Sequence, residues 1–376
     1  MSIVTIAPSA AKPKAPPKDI VLRDCGPDGC EIDWLASPRH EADLDIANFT
    51  AFAMEKGWGD GLPLIPPTET RVRTFLAANN RYPDEVIAVL PGNTECTVEK
   101  IIINAVMAGA PAESVPLLIA AVEAVGDPDF ELYGVNATTA SVAPALFVNG
   151  SIRNRLGIPY RHGCFGGAAG VAPAIGRALR LIMRNVAGQQ VGVTSQSTFG
   201  SPARVTGLVV GEWEERSPWS PLAERRGVSG DAVTAFGGMG TVNILDTTSQ
   251  KAVEFLEMIG KSLAYPGTNG FSPAVPFCEA LVAINPICAE IVARELPNIE
   301  DVQEVLWRFA SLPADWFEHL HLGQLEDQGR VRADGRVYLT PEPKDVLVIV
   351  CGGTGGLHAA AVHSFGTSLA QTRRIG

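Results

Sequence analysis

The chain carries 7 cysteines and 6 histidines among its 376 residues, and one segment sets both residue types among glycines: Arg161-His162-Gly163-Cys164-Phe165-Gly166-Gly167. A thiol becomes a useful nucleophile when a neighbouring cation or a helix N-terminus favours its thiolate. Cys164 stands two residues after His162 and ahead of a helix-like stretch that begins near residue 172. It is therefore the candidate nucleophile or acid/base thiol. His162 is its candidate base or electrostatic partner, and Arg161 a contact for an anionic substrate. The competing assignment is an inert core cysteine, the commoner fate of that residue in α/β proteins.

Three glycine-rich runs follow apolar, strand-like stretches and precede helix-like ones: Gly92-Asn93-Thr94-Glu95, Gly237-Gly-Met-Gly240 and Gly352-Gly353-Thr354-Gly355-Gly356. Glycine lets backbone N–H groups approach a ligand, a helix N-terminus favours an anion, and ligands of α/β sheets gather at the carboxyl ends of strands. The expected substrate contacts are Asn93, Thr94, Gly353, Thr354, Gly355 and Gly356. His358 joins them as a polar catalytic contact and Glu95 as a possible general base. The same loops also serve as tight packing turns. The Gly352 run lacks the Lys-Ser/Thr of a P-loop and the third glycine of a dinucleotide fingerprint, so no NAD, ATP or other cofactor is expected.

Cys351, His358 and His363 form a second cluster. Positions 358 and 363 are five apart, not the four that align two ligands on a helix. A metal-dependent site using His358 and His363 would need ligands from elsewhere, and it stands as an alternative. Cys25 and Cys30 flank a turn without the second close pair that a zinc site requires. Asp60 sits in a glycine-rich turn, which accounts for it without chemistry.

Residues 1–18, rich in Ala, Pro and Lys, read as a mobile arm. Gly26-Pro-Asp-Gly29 reads as the turn of a hairpin. Residues 42–56 form an expected amphipathic helix, and Thr68 the N-cap of the next. Internal similarity dominates the remainder. An apolar strand ending in glycines recurs at Asp84 and at Asp231. Each is followed by a helix (98–108; 249–263), a strand ending in asparagine (145–149; 280–285), a short helix (152–156; 287–294) and a longer one (172–187; 299–310). A repeat of roughly one hundred residues is implied. Asp345-VLVIVCGGTGG begins the pattern a third time, with a helix-like stretch from Leu357. The first copy is longer by about eight residues at the Tyr160–Gly170 loop, and insertions in one copy of a scaffold are where function is added.

The predicted fold is α/β, with internally duplicated strand–loop–helix units forming two pseudo-symmetric mixed-sheet lobes. The arm and hairpin span 1–37, the first lobe 38–200 and the second 201–330. Residues 331–376 supply a carboxyl-terminal strand, Gly-rich loop and helix. The site is expected in the cleft between the repeats. Hydrophobic residues at 46% suffice for a large core, and a net charge of −11 argues against nucleic-acid binding. No apolar run has the length of a membrane span and no signal segment is recognisable, so a cytoplasmic protein with reduced thiols is expected. It would be a homo-oligomer, with a partner subunit possible.

The segment GWGDGLPLIPPTETRV from Gly57, with Asn93-Thr94, VEKIIINAVMAG from Val98 and GRALRLIMRNVAG from Gly176, resembles a family of bacterial proteins of unassigned activity. The likeness runs from about the helix at Asp45 to the Gly-rich carboxyl segment. Members are often encoded beside, or fused to, a small domain named for its UGSC motif, which implies a thiol- or selenol-dependent partner reaction. That motif is absent here. Where the family has Gly-Pro-Glu-His-Ala this chain has Asn285-Pro-Ile-Cys288-Ala, so a catalytic histidine there would be replaced by Cys288. The functional expectation is a small-molecule enzyme acting on an anionic, carboxylated substrate by a thiol-dependent lyase or hydrolase step. The alternatives are a metal-dependent lyase or hydrolase and a non-catalytic subunit that completes a partner's site.

Overall fold

A computed structural model describes residues 3–5, 35–167, 170–356 and 358–376. The proposed hairpin turn, Cys25, Cys30 and most of the expected arm lie outside the described residues. Strand β1 (Ile3–Thr5) pairs in parallel with β2 (Arg39–Glu41). Asp45 caps α1 (Ile46–Glu55), its side chain accepting from the Ala47 and Asn48 N–H groups. Thr68 caps α2 (Glu69–Asn79) by accepting from Arg71 N–H, as expected of it. Strands β3 (Val86–Leu90) and β4 (Thr94–Thr97) form a separate hairpin. Then come α3 (Val98–Ala108), α4 (Val115–Val125) and α5 (Leu132–Ala137). All eleven α3 residues but Lys100 are buried, because the helix runs through the core rather than along its surface.

The central sheet begins with β5 (Ala143–Asn149), followed by α6 (Ile152–Leu156), α7 (Ala172–Asn185), α8 (Ala203–Thr206), β6 (Leu208–Gly211) and α9 (Leu222–Arg225). Next in sequence are β7 (Ala232–Leu245), α10 (Ala252–Leu263), β8 (Ala280–Ile284), α11 (Pro286–Glu295) and α12 (Ile299–Phe309). A small antiparallel pair, β9 (Ser311–Pro313) with β10 (Arg336–Tyr338), brackets α13 (His319–Asp327). The chain closes with β11 (Val346–Val350), β12 (His358–Ser364) and β13 (Gln371–Arg374).

The strand order is β11-β8-β12-β7-β5-β6, with β13 also on β7. Pairs β5–β6 and β8–β11 are parallel, and the rest antiparallel. Every residue of β5, β8 and β11 is buried, the mark of strands covered on both faces. Alternate residues serve different cores. Ala145, Phe147, Val210, Phe236, Leu281, Ala283, Leu347 and Ile349 share one core on the inner face. Their neighbours Leu146, Val148 and Val209 pack with α3, α4 and α7, and Val282, Ile284 and Val348 with α10 and α12. The sheet is curled so far that its edge strands meet past their carboxyl ends, where Trp213 N–H donates to the Val350 carbonyl at 2.6 Å. The fold is thus mixed α/β around one large curled mixed sheet. No helix among the described residues is long and apolar enough to cross a membrane.

Three local expectations are corrected. The stretch after Leu357 is strand β12, not a helix: it lies between β7 and β8 and pairs with both. Alanine's helical preference yields there to a slot flanked by two strands. The glycines at 237–240 are inside β7, not in a loop. A Cβ on Gly237 would stand 2.7 Å from Ser368 Oγ, and one on Gly238 3.0 Å from Val362 Cγ1, so these glycines permit close strand approach. Gly92–Glu95 forms the turn and first residues of the β3–β4 hairpin rather than a strand-to-helix loop.

Candidate active site

The closing edge of the sheet assembles the chemistry. The β6 and β11 carboxyl ends emerge together, and the loop after α6 lies across them. Gly211 N–H donates to the Pro159 carbonyl and Gly352 N–H to the Tyr160 carbonyl, both at 2.9 Å. Those two bonds stitch the loop to both strand ends, which brings Cys164 from the loop into the same core as Cys351 from the end of β11. Both thiols are buried, with 5% and 3% of their surfaces exposed, although Arg161, His162, Gly163 and Gly166 around Cys164 are exposed.

The two thiols are unequal. The largest influence on Cys164 is the neighbouring Cys351 thiol, acting as a donor, and the nearby backbone of Gly352, Cys164 and Phe165 acts in the same sense. Burial opposes these donors, and they prevail: the Cys164 thiol lies below its ordinary range. Cys351 is held well above that range by its role as donor toward Cys164, by burial, and by the negative charge of Cys164 and Glu212. The remaining described cysteines behave otherwise. Burial pushes Cys96 and Cys278 up to about 12. Cys288 is buried beside the Asn285 cap of α11, whose Nδ2 reaches its sulphur at 3.2 Å.

Glu212, the residue after β6, lies inside the same junction and is 1% exposed. Its Oε2 accepts from Asn149 Nδ2 at 2.7 Å and from Leu222 N–H at 2.8 Å. Burial raises its carboxyl above the ordinary range, partly offset by the Arg225 charge and those donors. Arg225 itself donates to the Val348 carbonyl. On the outer side, the exposed Arg161 guanidinium stacks on Tyr160 and Trp213, 5.3 and 4.9 Å from the ring centroids. The His162 ring lies on the Gly353 backbone: a Cβ there would stand 2.4 Å from Cδ2 and 2.9 Å from Nε2. Asn285 Nδ2 donates to the His358 carbonyl at 2.6 Å, which ties the start of β12 to this neighbourhood.

The structure therefore gathers Cys164, His162, Arg161 and Gly353 from the predicted set, with Thr354, Gly355 and Gly356 in the same loop. Asn93, Thr94 and Glu95 lie on the β3–β4 hairpin. Among the described residues no hydrogen bond, ion pair or ring contact joins that hairpin to the Cys164 loop. Cys164 does not stand at a helix N-terminus, since α7 starts only at Ala172, and the Gly352–Gly356 loop leads into a strand. The two histidines of the metal alternative are placed differently: His363 is buried with Nε2 on the Leu263 carbonyl at 2.8 Å, whereas His358 is exposed. Among the described residues no group of three or more His, Cys, Asp or Glu could hold a metal ion. Sequence reasoning missed the Cys164–Cys351 pairing and Glu212. The available signal was positional: Glu212 follows the apolar run LVVG as Cys351 follows VLVIV.

The motif that carried the family resemblance has a structural role. Asp60 is gripped by Arg177 through Nε–Oδ2 and Nη2–Oδ1 bonds of 2.7 Å each. Arg177 also donates to the Pro63 and Leu62 carbonyls. Arg184 Nε and Asn185 Nδ2 hold the Gly57 and Trp58 carbonyls. One face of α7 thus straps the Gly57–Pro63 segment down, which corrects the reading of Asp60 as a turn residue alone. Comparison of the chain with models of known families finds no match, and neither does comparison with curated proteins.

Proposed function

We propose that the protein is a thiol-dependent enzyme acting on a small anionic, carboxylated molecule, with Cys164 as the attacking thiolate in a lyase or hydrolase step. The observation that supports this reading is the setting of Cys164: its loop is held across the β6 and β11 ends by the Gly211–Pro159 and Gly352–Tyr160 backbone bonds of 2.9 Å, and its thiol is held below its ordinary range, chiefly by Cys351. A structural core thiol is pushed upward, as Cys96 and Cys278 are; this one is drawn downward. In the hydrolase form, Cys164 sulphur bonds to an electrophilic carbon of the substrate. The leaving group takes its proton from His162 or from Cys351, and water then releases the acyl group. In the lyase form, the thiolate removes a proton next to the substrate carboxylate. Arg161, stacked and exposed, supplies planar donors for that carboxylate.

The location fits a site between two related halves. In one, β5 pairs in parallel with β6 and antiparallel with β7; in the other, β8 pairs in parallel with β11 and antiparallel with β12. The residue after each parallel strand donates to the same place on its neighbour: Glu212 N–H to Val148 O and Cys351 N–H to Ile284 O, both at 3.1 Å. We read this correspondence as a duplication, with Glu212 and Cys351 as counterparts. The test of function is alkylation of the native protein across pH, mapped by mass spectrometry. Fastest labelling at Cys164, with an apparent pKa below the ~8.5 of a free thiol, supports the proposal. Labelling of Cys164 no faster than of Cys96 and Cys278 overturns it.

A further inference from the structure

We propose that the protein has a second binding site, for the phosphate group of a small phosphomonoester, beneath the loop that joins α7 to α8, with Arg204 and Ser197 as its contacts. The site lies at the amino ends of β5 and β6. Arg204 Nε donates to the Val142 carbonyl at 2.9 Å, just before β5 begins, and α8 leads directly into the start of β6. The Cys164 loop is fastened to the carboxyl end of β6, so this second site does not depend on what Cys164 does. Positive charge without an acid sets the corner apart. Arg180 of α7 is only 7% exposed; it donates to the Arg204 carbonyl at 3.0 Å, to Met183 Sδ and to Gln189 Oε1. Arg204, half-buried, also donates to Ser195 Oγ at 2.7 Å and to the Ala140 carbonyl. Among the described residues no carboxylate pairs with either arginine. The other arginines buried to this depth, Arg153 and Arg177, each hold an acid. Burial, and after it the charge of Arg204, push Arg180 down to about 9, so both guanidiniums are charged at neutral pH. Charges taken out of water are normally paired, and these two call for a counter-anion.

A cavity of about 460 Å³ borders Arg204. Its polar wall is Arg204, Ser197 and Ser201, and its apolar wall Val191, Phe199 and Pro202. The Ser197 hydroxyl oxygen is buried and has no hydrogen-bond partner. Its position is fixed from both sides: Ser195 accepts from Arg204, and Thr198 N–H donates to the Thr139 carbonyl at 2.9 Å. A hydroxyl held that way is placed to donate to a ligand oxygen beside the guanidinium. The close crossing of α7 and α8 keeps the two cations together, since a Cβ on Gly176 would stand 2.2 Å from the Thr206 carbonyl oxygen. Phe199 is 95% and Val191 70% exposed, so the apolar body of a ligand would cover side chains that the protein itself leaves in water. Two positive charges match a phosphomonoester, which carries close to two negative charges and three strong acceptor oxygens at neutral pH. A carboxylate brings one charge and meets half of that demand.

The test is calorimetric titration of the full-length protein with inorganic phosphate, phenyl phosphate and benzoate, repeated on Ser197→Ala, Arg204→Gln and Phe199→Ala. The expected result is a single site for phenyl phosphate, with benzoate weaker by at least roughly tenfold. Ser197→Ala removes a hydroxyl that makes no bond within the protein, so it should leave the unfolding curve unchanged and weaken inorganic phosphate by roughly tenfold. Arg204→Gln should abolish phosphate binding; if that variant does not fold, the Ser197→Ala titration decides alone. Phe199→Ala should leave inorganic phosphate as it was and weaken phenyl phosphate. Absence of phosphate binding at about 10 mM overturns the inference, as does binding that Ser197→Ala leaves untouched. Benzoate that binds as tightly as phenyl phosphate overturns the assignment to a dianion.

Discussion

Replacing Arg177 by alanine isolates what the strap contributes. Arg177 makes two 2.7 Å bonds to Asp60 and two more to the Pro63 and Leu62 carbonyls, and the two side chains are only 10% and 13% exposed. At that depth an effective dielectric near 20 gives a Coulomb attraction of about 4 kcal/mol, and removing one member of a buried pair costs ~3–5 kcal/mol because the other is left uncompensated. Discounting for the residual exposure, Arg177→Ala should lose about 3 kcal/mol. Asp60→Asn should lose about 2 kcal/mol, since Arg177 keeps both carbonyls. The double variant should lose much less than the sum, giving a coupling of roughly 2 kcal/mol. The pH sense follows from Asp60. Burial pushes its carboxyl up, but the Arg177 and Leu62 hydrogen bonds and the Arg177 charge more than reverse this, leaving it below its ordinary value. Its contribution is therefore present above the unfolded carboxyl value of about 3.9 and lost as pH falls through the lower folded value. Urea unfolding of the four proteins at pH 7, repeated toward pH 3, reads both quantities. Additive losses at pH 7, with a coupling below ~0.5 kcal/mol, would refute the argument that the pair acts as one buried unit.

Three more outcomes follow from the site. Cys351→Ala removes the largest donor to the Cys164 sulphur, so the alkylation pKa of Cys164 should rise, and Cys351→Ser should largely restore it; an unchanged profile in the alanine variant would contradict the hydrogen bond. Gly353→Ala sets a methyl 2.4 Å from His162 Cδ2 and should turn the ring away. Stability should change by less than ~1 kcal/mol while turnover falls, as unfolding curves and activity on the same preparation would show. Glu212 has its carboxyl raised by burial, so its contribution holds below the unfolded value of ~4.3 and declines as pH rises through the higher folded value. Glu212→Gln, which cannot ionise, should gain on the parent protein as pH rises from 5 to 8, and a pH-independent difference in urea midpoints would sink that account.

Local periodicity served the sequence reading well wherever an element's neighbours were of one kind. Val98–Ala108 and Ile152–Leu156 fall where the pattern puts them, and Thr68 caps the helix it was expected to cap. The pattern misled where tertiary contact decides. HAAAVHS is short, alanine-rich and without alternation, so helix and strand look alike; only the slot between β7 and β8 makes it β12. The glycines of β7 resemble a loop for the same reason: what requires them is the approach of Ser368 and Val362, which come from the far end of the chain.

The candidate site divides along the same line. The Cys164 loop was legible because it concentrates a thiol, a histidine, an arginine and glycines within seven residues. What holds that thiol below its ordinary range was not, because it depends on closure of the sheet. β6 and β11 are its two edges, and no feature of either segment alone states that edges at opposite ends of the strand order will meet. Once Trp213 N–H reaches the Val350 carbonyl, the residues just past each edge, Glu212 and Cys351, are forced into one junction. Cys351 then feels the negative charge of Glu212, keeps its proton, and bears as a donor on Cys164. The acidity of Cys164 is thus a property of the curl. Any change that opens the β6–β11 contact should raise the thiol's pKa even when every residue of the Cys164 loop is left intact.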